Sequence, residues 1–249
     1  MWHSAPNIAS KHGFSDRVGG VSQGAYTQLN LSSNVGDRLE SVEENRVRAL
    51  EALGLSGMRL ARLRQVHSSE VVTLTRDSDL TLLPLADALV TRLRDTVLVI
   101  ESADCYPVLL EDAQAGVIAA AHCGWRGTAS RLLERVLEAM LESGAHLNRI
   151  RAALGPGISA AQYVVGADVT VRFAQEGFPQ HTLSGENPSH SGFEQYHVDL
   201  LAANRWLLES GGVLPEHIWA IGRCSTESDF FSHRRDHGTT GRMWSVIAQ

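Results

Sequence analysis

The stretch from residue 71 to residue 121 constrains the fold most. It holds a succession of short β-branched or apolar runs, Val71–Thr75, Asp87–Thr91, Thr96–Glu101, Val108–Leu110 and Gly116–Ala121, separated by turn residues. Runs of this length and composition read as strands. Helical patterns fall irregularly around them. Ser41-Val-Glu-Glu44 resembles a capping box, Val42, Val47, Leu50 and Leu53 recur near helical spacing, and Gly54 ends the run, so a helix is predicted over 40–53. A second is predicted over 128–143, with Leu132, Leu133, Val136, Leu137, Met140 and Leu141 on one broad apolar face and Gly144 at its end. Asp168–Gln175 and Asp199–Glu209 also read as helices, and Ile150–Leu154, Ile218–Ile221 and Met243–Ile247 as strands. Strands in runs with helices placed irregularly favour α+β, or a mixed α/β layer, over a strictly alternating doubly wound sheet.

The 249 residues suffice for one large domain or two small ones. Residues 17–37, rich in Gly, Ser and Asn, read as a long loop or hairpin region. The strongest linker candidate is 179–196, and it reads as a surface loop because only 53 residues (249 − 196) follow it. One domain over 1–249 is therefore expected. A net charge of −6 gives no electrostatic footprint for nucleic acid. No signal peptide and no apolar stretch of about 20 residues are seen, so no membrane span is expected. Cys105, Cys123 and Cys224 are odd in number and widely spaced, which argues against a disulfide framework and for a reducing compartment, the cytoplasm by default. The tryptophans are scattered and give no interface pattern, so the oligomeric state is left open.

Chemistry concentrates at the ends of the predicted strands. His122 closes the apolar run Gly116–Ala121, with Gly124 and Gly127 flanking Trp125-Arg126. Glycines there let a ligand approach the backbone. A helix starting near Thr128 would offer free N–H groups to an anion, and Arg126 a bidentate fork for phosphate or carboxylate. Cys105 follows the strand Val97–Ile100 and precedes His122 by 17 positions (122 − 105). His67, in Gln65-Val66-His67, precedes a strand of its own. One thiolate and two imidazoles suit zinc, and three protein ligands leave a fourth position open, as a catalytic metal needs. The same residues also suit a nucleophile and its base, with Cys105 attacking and His122 or His67 taking the proton in a metal-free hydrolase or amidase. A third possibility is a closed, non-enzymatic zinc module. It needs Cys123 as fourth ligand, which is awkward because neighbours on a strand point to opposite faces.

Other matches carry less. Gly20-Val-Ser22-Gln-Gly24 fits the nucleophile-elbow pattern but lacks the strand before it and the helix after it. Gly155-Pro-Gly157-Ile-Ser-Ala160 is a loose dinucleotide fingerprint that Gly166 cuts short. The zinc deaminase and H-E-x-x-H signatures are absent. None of the 11 histidines forms an H-x-H pair, which argues against a conventional multicopper centre.

Taken together the motifs resemble the YfiH-type, laccase-domain family, whose members were once called polyphenol oxidases and are now described as purine nucleoside phosphorylases. The resemblance runs in order through Arg17–Tyr26, Leu29-Asn30-Leu31, Gly36-Asp37, Asn45-Arg46, Gln65-Val66-His67 and Ala86–Thr91. It continues through Ala103-Asp104-Cys105, Ala121–Thr128, Leu154–Ile158, Tyr163–Gly166 and Phe230–Asp236. It implies a single α+β domain with a mixed β-sandwich core flanked by helices. It also implies a zinc on His67, Cys105 and His122, with copper the alternative metal, since oxidase activity with copper has been attributed to some members. The implied reaction is phosphorolysis of adenosine, guanosine and methylthioadenosine, with adenosine deamination alongside. Purine nucleosides and phosphate are then the expected partners. Arg126, Gln65, Asn30, Arg17 and Arg234 are the expected binding residues, and Asp104, beside Cys105, joins the metal ligands as a catalytic candidate. The chain departs from the family pattern in three places. Gly157 stands where a cysteine is common, Cys123 where alanine is usual, and His233 where tyrosine is usual.

Overall fold

The computed structural model describes residues 1–188 and 194–249. The chain begins with β1 (Trp2–His3) and β2 (Lys11–Ser15), then runs through a loop to α1 (Leu39–Leu53). β3 (Arg59–Ala61), β4 (Val71–Leu74), β5 (Ala88–Thr91), β6 (Thr96–Ser102), β7 (Tyr106–Asp112) and β8 (Val117–Cys123) follow. After them come α2 (Trp125–Ala129), α3 (Leu132–Glu142), β9 (Arg151–Leu154), β10 (Val164–Val165) and α4 (Ala167–Gln175). The chain ends with β11 (Leu183–Pro188), β12 (Glu194–Val198), α5 (Leu200–Ser210), β13 (Ile218–Ala220) and β14 (Met243–Ala248).

Two mixed sheets form the centre. One has the order β1-β2-β14-β6-β3, the other β13-β9-β7-β8-β5-β4, and a small antiparallel sheet, β10-β12-β11, stands apart. The period of two along each strand sorts the side chains into layers. On β8, Ile118 and Ala120 face the first sheet, meeting Phe14, Leu98, Ile100 and Ile247. Val117, Ala119, Ala121 and Cys123 face the other way, onto Leu133, Val136 and Met140 of α3 and Ala203 and Leu207 of α5. The outer face of the first sheet, through Val97, Val99 and Trp244, packs on Ala49 of α1 with Leu29, Leu31 and Leu55. The result is four layers, helix, sheet, sheet, helix: an α+β sandwich, as expected. Leu109 lies fully buried between the sheets. Leu109→Ala is expected to lower stability by about 2–5 kcal/mol, read from the denaturant midpoint at unchanged m.

Several expectations are corrected. The helix predicted over 128–143 is two helices. The chain breaks at Ser130 and at Arg131, which adopts φ +62°, and the Arg131 guanidinium locks that turn by donating to Glu134 and to the Glu176 carbonyl. Helix α1 starts at Leu39 with no side-chain cap, so Ser41 lies inside it and the capping box does not form. Its C-terminal end matches, with Gly54 left-handed at φ +64°. Strands β2 and β3 went unpredicted, and the loop expected over 179–196 contains β11 and most of β12. The remainder of that loop, 189–193, lies outside the described residues.

Candidate metal and active site

The two sheets exchange chain at one end of the sandwich. The β3–β4 connection carries His67, the β6–β7 connection carries Cys105, and His122 is the penultimate residue of β8. Strand parity explains why they converge. His122 shares its face with Ile118 and Ala120, turned toward the space between the sheets, while Cys105 and Asp87 stand one residue before β7 and β5. Pairing of Ala88 with Ala121 and of Pro107 with His122 brings the strand ends level. The ligand atoms of His67, Cys105 and His122 lie within 4.8 Å of one another, and Cys105 Sγ is 3.9 Å from His67 Nε2. The imidazoles meet edge to face at 4.9 Å. His122 is buried, Cys105 half-buried and His67 exposed, so the cluster opens outward on one side.

Asp87 organises this site, and it was missed as a functional residue in the sequence. Its carboxylate accepts from His122 Nδ1 at 2.9 Å and from the backbone N–H groups of Val66, His67 and Ser68. The Ser68 hydroxyl donates to it as well, and its own carbonyl accepts the His122 N–H. A carboxylate can only accept, so the proton sits on His122 Nδ1 and Nε2 is left to face the cluster. The three backbone donors hold His67 at φ +59°, a region non-glycine residues rarely adopt. Burial alone would raise the Asp87 carboxyl, but the His122 and Ser68 bonds bring it down to about 2.

The cluster is also electrostatically coupled. Burial pushes the Cys105 thiol up, yet the His122 charge and the bonds to both histidines outweigh it and bring the thiol down to about 6. Burial would lower His122, but the Cys105 thiolate and Asp87 lift it to about 9. Cys123, on the opposite face and inside the helix-side core, is pushed well up by burial and then by Cys105. It points away from the cluster, in line with strand alternation.

Two observations bear on whether a metal fits. The donor set is one thiolate and two imidazoles, which suits zinc, and among the described residues no fourth protein donor joins it. Gly124 leaves room beside it: a Cβ there would come within 2.9 Å of both Cys105 Sγ and His67 Cδ2. The residues fit a three-coordinate protein site with one open position.

The remaining predicted site residues divide into two groups. Arg126 and Arg234 lie on segments that border the cluster: Arg126 follows Gly124, which abuts Cys105 and His67, and the Arg234 N–H binds Asp104 beside Cys105. Burial and the Cys105 thiolate raise the Tyr163 phenol while Arg234 and Arg126 oppose them, which puts these groups in one electrostatic neighbourhood. The Arg234 guanidinium lies 5.2 Å from the Tyr163 ring and that of Arg126 4.4 Å from Trp125. The free N–H groups expected at Thr128 are absent, because α2 starts a turn earlier and Thr128 donates its N–H to the Gly124 carbonyl. The second group serves architecture. Asp104, at φ +91°, accepts from the Ser225 hydroxyl and the Arg234 N–H, tying the β6–β7 connection to the 225–234 segment. Gln65 both donates to and accepts from the Glu101 backbone. Asn30 is fully buried and its amide is engaged with Ser32, Asp37 and Arg242, leaving it no group for a ligand. Arg17 donates to the Thr27 carbonyl and lies over Phe231. Gly157 abuts the Tyr106 ring, where a Cβ would fall within 2.6 Å, so the cysteine common in the family would clash here.

The family model described as multi-copper polyphenol oxidoreductase laccase matches residues 11–249, and the chain belongs to that family. It is 47% identical over 243 residues to a purine nucleoside phosphorylase of Deinococcus radiodurans, covering 98% of this chain and 90% of the relative. It is 35% identical over 253 residues to adenosine deaminase RL5 of an unknown prokaryotic organism, with 98% and 95% covered. Among solved structures, YlmD from Geobacillus stearothermophilus superposes with a TM-score of 0.89 at 33% identity, covering all of this chain and 96% of that one.

Proposed function

We propose that this protein is a zinc-dependent purine nucleoside phosphorylase acting on adenosine, guanosine and methylthioadenosine, with adenosine deamination at the same site. The observation that carries this reading is the cluster of His67, Cys105 and His122, open on one side, with Arg126 and Arg234 on the segments that border it. The names of its relatives support the same two activities. Zinc held by the three residues would supply Lewis acidity at the open position. The chain's own residues do the rest. Arg126 and Arg234 hold phosphate against the nucleoside, Trp125 and Tyr163 offer aromatic faces beside them, and Asp87 keeps the His122 proton on Nδ1. Asp104 orients Cys105 and the Arg234 backbone. Three free cysteines fit a reducing cytoplasm. Among the described residues no helix is long and apolar enough to cross a membrane.

The test is adenosine supplied to the purified protein with and without phosphate, the products being separated as adenine and inosine. Phosphate-dependent adenine that disappears on chelation is the expected result. Inosine alone would reduce the reading to a deaminase, and products unaffected by chelation would remove the metal from it.

The lowered Cys105 thiol favours one second reading, a metal-free cysteine hydrolase with His67 or His122 as base. After chelation, alkylation of Cys105 is expected to rise with pH through about 6 rather than through the ordinary thiol range, because the reactive form is the thiolate. Zinc is expected to protect it. Activity that survives chelation but is lost on alkylation would favour the hydrolase. The copper oxidase reading finds less support: among the described residues a single cluster of three such donors occurs.

A further inference from the structure

A cavity of about 140 Å³ opens on the α1 side of the first sheet, at its β3 edge, lined by Ser33, Asn34, Arg46, Arg62, Gln65 and Glu101 among others. Its hydrogen bonding is incomplete, and two arginines face one carboxylate, Glu101. Arg46, from α1, gives Nε to the Leu31 carbonyl and lies 5.2 Å from the Trp244 ring, but its Nη2 is buried without a hydrogen-bond partner. The nearest acid oxygen, Glu101 Oε1, is 3.8 Å away and already accepts from the Trp244 indole. Arg62 brings a second positive charge to the same space and has no ion-pair partner among the described residues. Burial and then Arg62 work against the Arg46 charge and outweigh the support it has from Glu101 and Glu43. The Ser33 hydroxyl and Asn34 amide add neutral donors that are unpaired among the described residues. Two arginines facing one small polar space, one of them with a buried unpaired N–H, call for an acceptor that carries charge.

We propose that this pocket binds a small oxyanion of the phosphate class, apart from the His67–Cys105–His122 cluster. Its size, the room of about four to five waters, admits a tetrahedral ion. Arg46 and Arg62 grip the ion, and Ser33 and Asn34 complete its shell. Gln65, in the cavity wall, is two residues from His67, so an occupied pocket stiffens that ligand arm.

The test uses the full chain and inorganic phosphate, with binding read by calorimetry and by the phosphate-dependent rise in melting temperature. It is done in an Arg126→Gln background so that anion binding beside the metal cluster is weakened. The R126Q protein is expected to keep a phosphate-dependent rise. Adding Arg62→Gln is expected to weaken binding at least about tenfold, since a charge-assisted bond is lost. Among the described residues the Arg62 side chain makes no hydrogen bond, and an unchanged melting temperature without phosphate checks that the substitution leaves the fold intact. Arg46→Gln is a second variant with the same expectation. Sulfate should compete with phosphate. Phosphate binding that R62Q and R46Q leave intact, or no binding to the R126Q protein at all, would overturn the proposal. Tighter binding of adenosine 5′-monophosphate than of phosphate would overturn the assignment to a free ion.

Discussion

Replacing His122 with alanine is expected to remove metal and turnover together. His122 is the most deeply placed of the three donors, buried at the end of β8 and fixed on its far side by Asp87. Neither of the next two residues can take its place. Cys123 faces the helix-side core, and Gly124 has no side chain. Loss of a group that merely orients a ligand typically costs about 10–100-fold in metal affinity or activity. Loss of the ligand itself should exceed that, so turnover should fall more than about a hundredfold. The measurement is zinc content after dialysis beside adenine release. A His122→Ala protein that folds, holds one zinc and turns over would sink the site assignment. The side chain is buried, so a denaturant midpoint on the same sample must show that the loss is not one of folding.

Asp87→Asn is the second large effect, expected at about 10–100-fold in metal affinity. Asparagine keeps the shape and part of the accepting capacity for the Val66, His67 and Ser68 N–H groups. It removes the charge, and its amide can turn a donor toward His122 Nδ1, which opposes the tautomer the site needs. A purely architectural Asp87 would lower stability and leave zinc affinity unchanged. Competition against a chelator therefore decides the matter, and Asp87→Glu should recover part of the affinity.

Much of this was legible from pattern. The strands of the second sheet follow from their apolar runs, and the ligand trio from soft donors placed where such runs stop. Asp87 also left a signal: a carboxylate at the mouth of the fully buried run Ala88–Thr91 cannot enter the core unpaired. Other features had no local signal. Lys11-His-Gly-Phe-Ser reads as no strand, because its burial comes from β14 and β1 on either side rather than from its own hydrophobicity. Strand β11 contains Gly, Asn and Pro, turn formers that tertiary pairing with β12 overrides. The break at Arg131 depends on Glu176, 45 positions away, so no window over the helix would reveal it. Asn30 and Arg17 were named through resemblance, and resemblance does not distinguish a residue that touches a ligand from one that holds the loop around it.

The position of the cluster at the seam has a mechanical meaning. Two of its three donors ride on the connections by which the chain passes from one sheet to the other, and the third is fixed in the second sheet. The sheets therefore cannot slide over each other without changing the spacing of the donors. Displacements of about 1 Å are enough to cost reactivity on the order of a hundredfold. The packing of Phe14, Leu98 and Leu109 thus sets the aperture of the site as well as the stability of the sandwich. A substitution deep in that interface would be felt as a loss of chemical competence before it was felt as unfolding.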